Sequence, residues 1–412
     1  MRSQRKAVLF FTALVSLVTY GQLFHSLELK PEIGERQGEF SQPRMHIEGD
    51  RLYVCTNRGL YTRDLSNNDG SWLLAGFENI PLQDYVRRDN DILALRYNKG
   101  GGFLLLSQDD GLTYKDVTPE IFCDEKCEIL PCLVQHPTDP NTLLTSSLYW
   151  GIFRSTDFSQ TWENLTESFY TNRSASFIGF HPKSPSVIYN SGEGETFKGH
   201  INISYDAGQT WNDHGESLGF HGDNCVHRPA FHPTNPNYWV VGGEGVIYTT
   251  TDNGHTWNCQ NFWDDAKRSA YWYFSAFDEE HPDTIYMVGN TTGNLGAIKV
   301  MYSTDGGISW SIPQTEPRKK ASIERINDLL QYGDKLLIYT ESDVYALSKA
   351  DLIEQTTSIN EMKNEGVKSE KYNDAIYDLS GRKIANGQKP MSKGLYIVNG
   401  KKVAVKKLMY DV

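Results

Sequence analysis

The sequence predicts an all-β protein, a seven-bladed β-propeller of four-stranded blades with a short C-terminal β-rich tail. The first reason is an eight-residue phrase whose aspartates recur at intervals of 48, 49, 46 and 53 residues. The second is a proline-containing phrase that precedes several of these copies. The third is a series of short apolar runs, separated by glycine and proline turns, without a long helical pattern. Units of four short strands at this period are typical of propeller blades.

The N-terminal segment 1–22 has the pattern of an export signal. Arg2, Arg5 and Lys6 precede the apolar run Ala7–Tyr20. A run of this length falls short of the roughly 20 residues that a helix needs to span a bilayer. We therefore expect a signal peptide over 1–22, with an uncleaved anchor as the alternative, and no transmembrane segment in the mature chain.

Charge is distributed unevenly along the chain and restricts the class of partner. The formal net charge is −12 over 412 residues, made up of +3 in 1–22, −21 in 23–365 and +6 in 366–412. An acidic surface is a poor ligand for a polyanion. The sequence thus argues against nucleic acid and against heavily sulfated glycans as partners.

The recurring phrase has the form Ser/Thr-x-Asp-x-Gly-x-Thr/Ser-aromatic, with serine replacing the glycine once. Its five copies are Ser107–Tyr114, Ser155–Trp162, Ser204–Trp211, Thr250–Trp257 and Ser303–Trp310. Two weaker copies, Gly59–Asp64 and Asp343–Ser348, extend the series to seven units. The hydroxyl and the carboxylate can accept hydrogen bonds from backbone N–H groups of a tight turn, and glycine allows the positive φ such turns need. Each copy therefore predicts a hairpin turn.

A second phrase marks another turn in each unit. It occurs as Gln135–Pro140, Phe180–Pro185 and Phe231–Pro236, and in shorter form as Glu280–Asp283. Each copy is followed by an apolar run such as 238–241. Every unit therefore reads as strand, proline turn, strand, glycine turn, strand, hairpin and strand, which predicts the propeller domain over 23–355.

The eight-residue phrase resembles the Asp-box, or BNR, repeat of sialidases, xyloglucan-active glycosidases and sortilin-type receptors. The resemblance covers roughly residues 45–355. It implies that the boxes and the proline turns share one face, and that function lies on the opposite face. The chain departs from all three groups, because it lacks the Arg-Ile-Pro motif of sialidases, the second propeller of the xyloglucan-active enzymes and the Cys-rich modules of the receptors.

The C-terminal region looks like a second targeting element. Residues 356–371 form a polar linker, and 372–412 are rich in lysine. The phrases Tyr377–Arg382 and Gly394–Val398 are similar to those of the C-terminal sorting domain of type IX secretion cargo. The alternative is a basic hairpin that packs on the acidic propeller.

Six cysteines are compatible with an exported chain in which disulfides can form. Cys123, Cys127 and Cys132 lie close together in sequence, so a local bridge among them is one possibility. Sequence alone does not choose among the fifteen pairings that six cysteines allow.

Carboxylates and aromatic side chains fall in the loops where the resemblance places function. Carboxylates can act as acid and base on a glycosidic bond, and aromatic rings can stack on sugars. The candidate catalytic residues are Glu193, Glu195, Glu244 and Asp223. The candidate substrate-binding residues are Trp150, Arg228, Trp263, Arg268, Tyr271 and Trp272.

Two functions from different classes follow. The first is an exported, glycan-interacting propeller, in catalytic form a sialidase- or xyloglucanase-like glycoside hydrolase or, as a weaker alternative, a polysaccharide lyase. The second is a non-catalytic platform that binds a glycan or a surface protein, as sortilin-like or assembly-factor-like propellers do. For both we expect a monomer without metal or cofactor, which is secreted or held on the outer-membrane surface, with the periplasm as the alternative.

Overall fold

The computed structural model describes residues 23–34, 42–67, 70–98, 101–122, 132–147, 151–166, 174–193, 199–214, 226–262, 270–291, 298–311, 325–354, 375–377, 383–386, 394–398 and 401–405. The chain divides into two compact units, Met1–Thr356 and Thr357–Val412. The predicted signal peptide and the whole of the predicted linker lie outside the described residues.

The first unit is a seven-bladed propeller of antiparallel sheets, which confirms the predicted fold class. Blade 1 consists of Met45–Glu48 (β2), Arg51–Thr56 (β3), Gly59–Asp64 (β4) and Leu73–Gly76 (β5). Blade 2 consists of Leu82–Arg88 (β6), Asp91–Asn98 (β7), Gly101–Ser107 (β8) and Lys115–Asp116 (β9). Blade 3 consists of Leu133–Gln135 (β10), Leu143–Ser147 (β11), Gly151–Ser155 (β12) and Glu163–Asn164 (β13). A 3-10 helix, Glu120–Phe122, lies between blades 2 and 3.

Blades 4 to 7 repeat the same order. Blade 4 consists of Ser174–Phe180 (β14), Ile188–Glu193 (β15), Gly199–Ser204 (β16) and Asn212–Asp213 (β17), and blade 5 of Ala230–Phe231 (β18), Trp239–Gly242 (β19), Val246–Thr250 (β20) and Asn258–Asn261 (β21). Blade 6 contains Ala270–Phe277 (β22), Ile285–Thr291 (β23) and Ile298–Ser303 (β24). Blade 7 contains Ile326–Tyr332 (β25), Lys335–Thr340 (β26) and Val344–Ser348 (β27). The fourth position of blade 6 holds a single bridge between Tyr302 and Ser311. A short helix over 349–354 follows β27.

The N-terminal segment closes the ring. Its strand His25–Ser26 (β1) pairs with β27 and supplies the fourth strand of blade 7. The buried carboxylate of Asp343 accepts a hydrogen bond from the backbone N–H of Leu29 at 2.9 Å and another from the Ser26 hydroxyl. A four-residue helix, Lys30–Ile33 (α1), then leads to blade 1. The carboxylate of Asp343 therefore fastens the N-terminal segment to blade 7.

Asp343→Ala is expected to lower the free energy of unfolding by about 2–3 kcal/mol, because buried donors lose a charged acceptor. Asp334→Ala changes an exposed aspartate on the same blade and should stay within about 0.5 kcal/mol. Urea unfolding of both variants measures the difference. Equal stability of the two variants would show that the hydrogen bonds of Asp343 to Ser26 and Leu29 do not stabilise the fold.

The eight-residue phrases form one recurrent turn, as Ser204–Trp211 illustrates. The Ser204 hydroxyl accepts the N–H of Gly208 at 2.8 Å, and Asp206 accepts the N–H and the hydroxyl of Thr210 at 2.8 and 2.7 Å. Gly208 has a φ of 91°, where an L side chain is strained. The phrase is thus a self-contained hairpin, and the side chain of Trp211 packs on the core between blades 3 and 4.

The His-Pro phrases form the other turn on the same face. The Nδ1 atom of His181 accepts the backbone N–H of Ser184 at 3.0 Å, and its Nε2 lies 2.9 Å from the carbonyl oxygen of Pro236 in the next blade. The two kinds of turn meet directly, since Ala207 N–H donates to the Ser186 carbonyl at 2.8 Å. We call this side the box face, and the side that carries the loops between second and third strands the loop face.

The second unit contains one antiparallel sheet of four strands. Its strands are Ala375–Tyr377 (β28), Lys383–Asn386 (β29), Gly394–Val398 (β30) and Lys401–Val405 (β31), in the spatial order β29-β28-β30-β31. No helix among the described residues of either unit is long and apolar enough to cross a membrane.

Three cysteines belong to the described residues, and all are free thiols. Cys55 and Cys132 are buried, and Cys259 is exposed. Cys123, Cys127 and Cys225 lie outside the described residues, so Cys132 is the one member of the predicted local cluster that the structure places, and it is unbridged.

Candidate functional site

The predicted site residues divide into those that the structure places and those that it does not. Placed residues are Glu193, Glu244, Arg228, Tyr271 and Trp272. Outside the described residues lie Trp150, Glu195, Asp223, Trp263 and Arg268. The placed ones occupy three different environments: the loop face, the central cavity and the core.

Glu244 and Tyr271 meet on the loop face between blades 5 and 6. Glu244 lies in the turn between β19 and β20, Tyr271 is the second residue of β22, and their backbones form an isolated antiparallel bridge. The Tyr271 phenol is hydrogen-bonded to the Glu244 side chain. Partial burial, and then this hydrogen bond and the charge of Glu244, raise the pKa of Tyr271 above its ordinary value. The phenol therefore stays protonated and donates to the carboxylate.

Glycines permit close packing of the backbone around Tyr271 and Trp272. A Cβ on Gly242 would collide with the Trp272 carbonyl, and a Cβ on Gly289 would collide with the Tyr271 carbonyl. The N–H of Trp272 also donates to the Gly243 carbonyl at 3.1 Å. The position of Tyr271 is consequently fixed by backbone packing beneath it.

Tyrosine rings extend this site toward the axis. The rings of Tyr271 and Tyr273 stack with centroids 6.2 Å apart, and Tyr273 contacts the ring of His227 at 4.7 Å. Burial, followed by the charge of Arg44, lowers the pKa of His227 to about 3. A neutral imidazole and two phenol rings thus continue inward from the Glu244 carboxylate.

Glu193 is on the same face in the neighbouring blade. It is the last residue of β15 and is half-buried, and it pairs with Gly199 across the ladder. The structure therefore places two candidate carboxylates, Glu193 and Glu244, at the loop-face ends of the second strands of blades 4 and 5.

Trp272 lies in the core, which corrects its prediction as a substrate-binding residue. Its side chain is 2 % exposed and packs with Val240, Ile247 and Met287. Side chains alternate along a strand, so Trp272 points away from the side on which Tyr271 lies. The sequence identified the aromatic pair but not which member faces outward.

The inner strands enclose a central cavity of about 950 Å³. Its described lining runs from Pro137 and Pro182 in the proline turns to Arg44, Asp84 and Asp328 at the beginnings of inner strands. The cavity therefore reaches the box face, the side opposite to Glu244. We call the part lined by Arg44, Asp84, Arg228 and Asp328 the inner end.

Two buried aspartates organise the inner end in the same way. Asp328 accepts the backbone N–H of Met45 at 3.0 Å, and Asp84 accepts that of Leu133 at 3.0 Å, so each carboxylate binds the inner strand of a following blade. Each also accepts the N–H of the residue that follows it, at 2.9 Å. Both follow a register shift in their strand, which turns the carboxylate inward.

Each aspartate has a cationic partner that faces the cavity. Arg228 donates to Asp328 at 2.7 Å, and the His46 ring lies 2.7 Å from Asp84. Burial opposes ionisation of Asp328, but Arg228 and Arg44 together hold its pKa below the ordinary value. Burial also opposes protonation of His46, yet the hydrogen bond and charge of Asp84 raise its pKa.

The sequence analysis missed Asp84 and Asp328. The available signal was a carboxylate after an amide residue inside an otherwise apolar inner strand, in Leu82–Tyr85 and in Ile326–Leu329. Within the described part of the chain, no group of three or more potential metal ligands is close enough to hold an ion.

Comparison with known proteins supports the fold and gives a direction for function. No protein-family model matches the chain. A probable oligoxyloglucan-reducing end-specific xyloglucanase of Neosartorya fischeri is 28% identical over 221 residues, which are 50% of this chain and 25% of that protein. This chain therefore spans about a quarter of its curated relative.

Two solved structures share the architecture. The GH74 xyloglucanase of Xanthomonas campestris matches with a TM-score of 0.57 and 16% identity, over 80% of this chain and 54% of that one. YCF48 bound to D1 peptide matches with a TM-score of 0.51 and 16% identity, over 76% of this chain and 95% of that one. At such identities the likeness shows the propeller fold alone.

Proposed function

We propose that this chain is an exported, glycan-interacting propeller that binds a neutral polysaccharide of the xyloglucan type on its loop face. The observation that carries the proposal is the Glu244–Tyr271 pair, in which a carboxylate is oriented by a phenol beside a second tyrosine ring. A carboxylate can accept sugar hydroxyl protons, and a tyrosine ring offers an apolar surface to a pyranose. The acidic propeller disfavours polyanionic glycans.

We further propose that the recurrent turns make the chain an Asp-box protein and that hydrolysis is its candidate chemistry. Glu193 and Glu244 are the acid–base candidates, since glycoside hydrolysis requires two carboxylates on either side of the scissile bond. The partial match to a xyloglucanase supports this substrate class. The signal-like N terminus and the sorting-like tail support secretion to the cell surface.

Glu244→Gln is expected to abolish product formation and Glu193→Gln to reduce it at least about a hundredfold, as loss of a general acid or base does. The purified protein is incubated with xyloglucan and a panel of neutral glycans, and new reducing ends, unsaturated products and binding are recorded together. Glu163→Gln, at an exposed position on the outer edge of blade 3, is the matched control.

The outcomes separate the alternatives. Reducing ends without unsaturation indicate a hydrolase, and unsaturated products indicate a lyase. Binding without product would support a non-catalytic glycan-binding protein and would exclude catalysis on the glycans tested. Full turnover in both the Glu193 and Glu244 variants would contradict the assignment of these residues as acid and base. Neither binding nor product with any glycan would contradict the glycan proposal.

A second candidate is a protein-binding platform. It is favoured by the match to a single propeller of similar size, of which this chain covers 95%. The same purified protein, immobilised and exposed to peptides from cell-surface proteins, would distinguish this function by binding that a glycan does not compete away.

A further inference from the structure

The inner end of the central cavity contains more hydrogen-bond donors than its own acceptors use. Arg44 is 4 % exposed and lines the cavity. The one hydrogen bond that its guanidinium makes among the described residues is a long contact, 3.4 Å, from Nη1 to the Asn327 carbonyl. An arginine this deeply buried is normally paired with an anion. The guanidinium thus has open donors that point toward the cavity.

Arg228 adds further open donors beside it. Its Nη2 atom donates to Asp328 at 2.7 Å and to the Leu329 carbonyl at 3.3 Å, and the rest of the fork faces the cavity with 30% of the side chain exposed. Both guanidinium carbons lie within 6 Å of the centre of the Phe274 ring, at 5.8 Å for Arg44 and 5.1 Å for Arg228. Both guanidinium groups therefore lie beside the same aromatic ring.

The neighbouring carboxylates are already engaged by other donors. Asp328 already accepts two backbone N–H groups and Arg228, and Asp84 accepts two backbone N–H groups and His46. The donors of Arg44 and Arg228 that these carboxylates do not bind are therefore available to a ligand that enters the cavity. A carboxylate matches the planar fork of arginine in two-point hydrogen bonding.

Charge favours an anionic ligand at the inner end. The guanidinium groups of Arg44 and Arg228 stand there against the single carboxylate of Asp328, while Asp84 is paired with the His46 ring. At the box-face end the cavity is lined by the exposed acids Asp89 and Glu279. Such a mouth repels polyanions more strongly than a monoanion.

Apolar residues form part of the wall between mouth and inner end. They are Ile47, Val134, Ile178, Ala276 and Leu330, and they stand beside polar residues such as Gln135 and Gln331. We propose that the cavity binds a small monocarboxylic acid with an apolar body, with its carboxylate held by Arg44 and Arg228 at the inner end. The mouth of this cavity is on the face opposite to the loop that carries Glu244, and the proposal does not depend on the glycan proposal.

The test is calorimetric titration of the full chain with hexanoate, using hexan-1-ol as the uncharged probe of the same length. We expect hexanoate to bind and hexan-1-ol to bind at least about tenfold more weakly, in line with a charged hydrogen bond. Arg44→Gln should weaken hexanoate binding at least about tenfold while the variant remains folded by circular dichroism, because Arg44 has no carboxylate in direct contact among the described residues.

A second variant provides the test if Arg44→Gln does not fold. Arg228→Gln combined with Asp328→Asn removes the ion pair as a unit, and it too should lose hexanoate binding while remaining folded by circular dichroism. No heat with hexanoate, equal affinity for hexan-1-ol, or unchanged affinity in both variants would each overturn the proposal. Each of these outcomes leaves the glycan experiments on Glu244 unaffected.

Discussion

Asp328→Ala will lower the free energy of unfolding by about 3–5 kcal/mol, the cost of removing one partner of a buried ion pair. The carboxylate is 1% exposed. Its loss leaves Arg228 without its counter-ion and leaves the backbone N–H of Met45 without an acceptor. Because Asp328 is in blade 7, Met45 in blade 1 and Arg228 in blade 5, the effect should be global. Chemical denaturation with two spectroscopic probes measures it.

Two further variants test whether the effect arises from a buried carboxylate that links blades. Asp84→Ala breaks the equivalent contact to Leu133 and should be destabilising in the same way. Glu163→Ala removes an exposed partner of Arg154, whose ion pair is 2.7 Å long, and should cost no more than about 1 kcal/mol. If Asp328→Ala were as mild as Glu163→Ala, the inner carboxylates would not join the blades.

Acidification from pH 4 to pH 2 will unfold the propeller with a net uptake of protons by the box aspartates. Hydrogen bonds from Thr210 lower the pKa of Asp206 to about 2. In Asp252, burial opposes the shift, but bonds from Thr256 lower the pKa to about 2 as well. The pKa values of Asp109, Asp157 and Asp305 are lowered in the same sense.

The linkage between proton binding and folding determines the direction in which stability changes with pH. A carboxyl whose pKa is depressed on folding stabilises the folded state above its unfolded value of 3.8, and this contribution is lost as pH falls through the folded value. At pH 3, Asp206 and Asp252 alone should take up about 1.5 protons on unfolding. Denaturant midpoints measured between pH 2 and 6 give this number.

Thr210→Val and Thr256→Val together provide the comparison, because they remove the hydroxyl donors of Asp206 and Asp252. The double variant should depend less steeply on pH between 4 and 2. A midpoint that is independent of pH in this interval for the natural sequence would show that the box aspartates are not stabilised as carboxylates.

The blades were predictable because the interactions that define them are local. The hairpin around Asp206 is bonded within eight residues, so its chemistry is visible in the phrase itself. Closure by β1 was not predictable, because His25–Ser26 is only two residues long and pairs with residues more than 300 positions away. No periodic pattern exists in a segment of that length.

The candidate site was predictable in part, for a related reason. The blade pattern placed Glu244 and Tyr271 on the loop face, but their contact depends on Gly242, which lets blade 5 approach blade 6, and on Gly289, which lets β23 pack closely on β22. The interior position of Trp272 depends on the direction of one side chain in β22. The ion pair of Arg228 with Asp328 joins residues 100 positions apart, and neither residue belongs to the repeat.

The most direct test of the account is the binding isotherm of a xyloglucan-derived oligosaccharide to the natural chain and to Glu244→Gln and Tyr271→Phe. The account predicts saturable binding that each substitution weakens at least about tenfold, since each removes one side of a charged hydrogen bond, while Glu163→Gln on the outer edge of blade 3 leaves it unchanged. Binding that all three variants retain in full would contradict the assignment of the ligand to Glu244 and Tyr271.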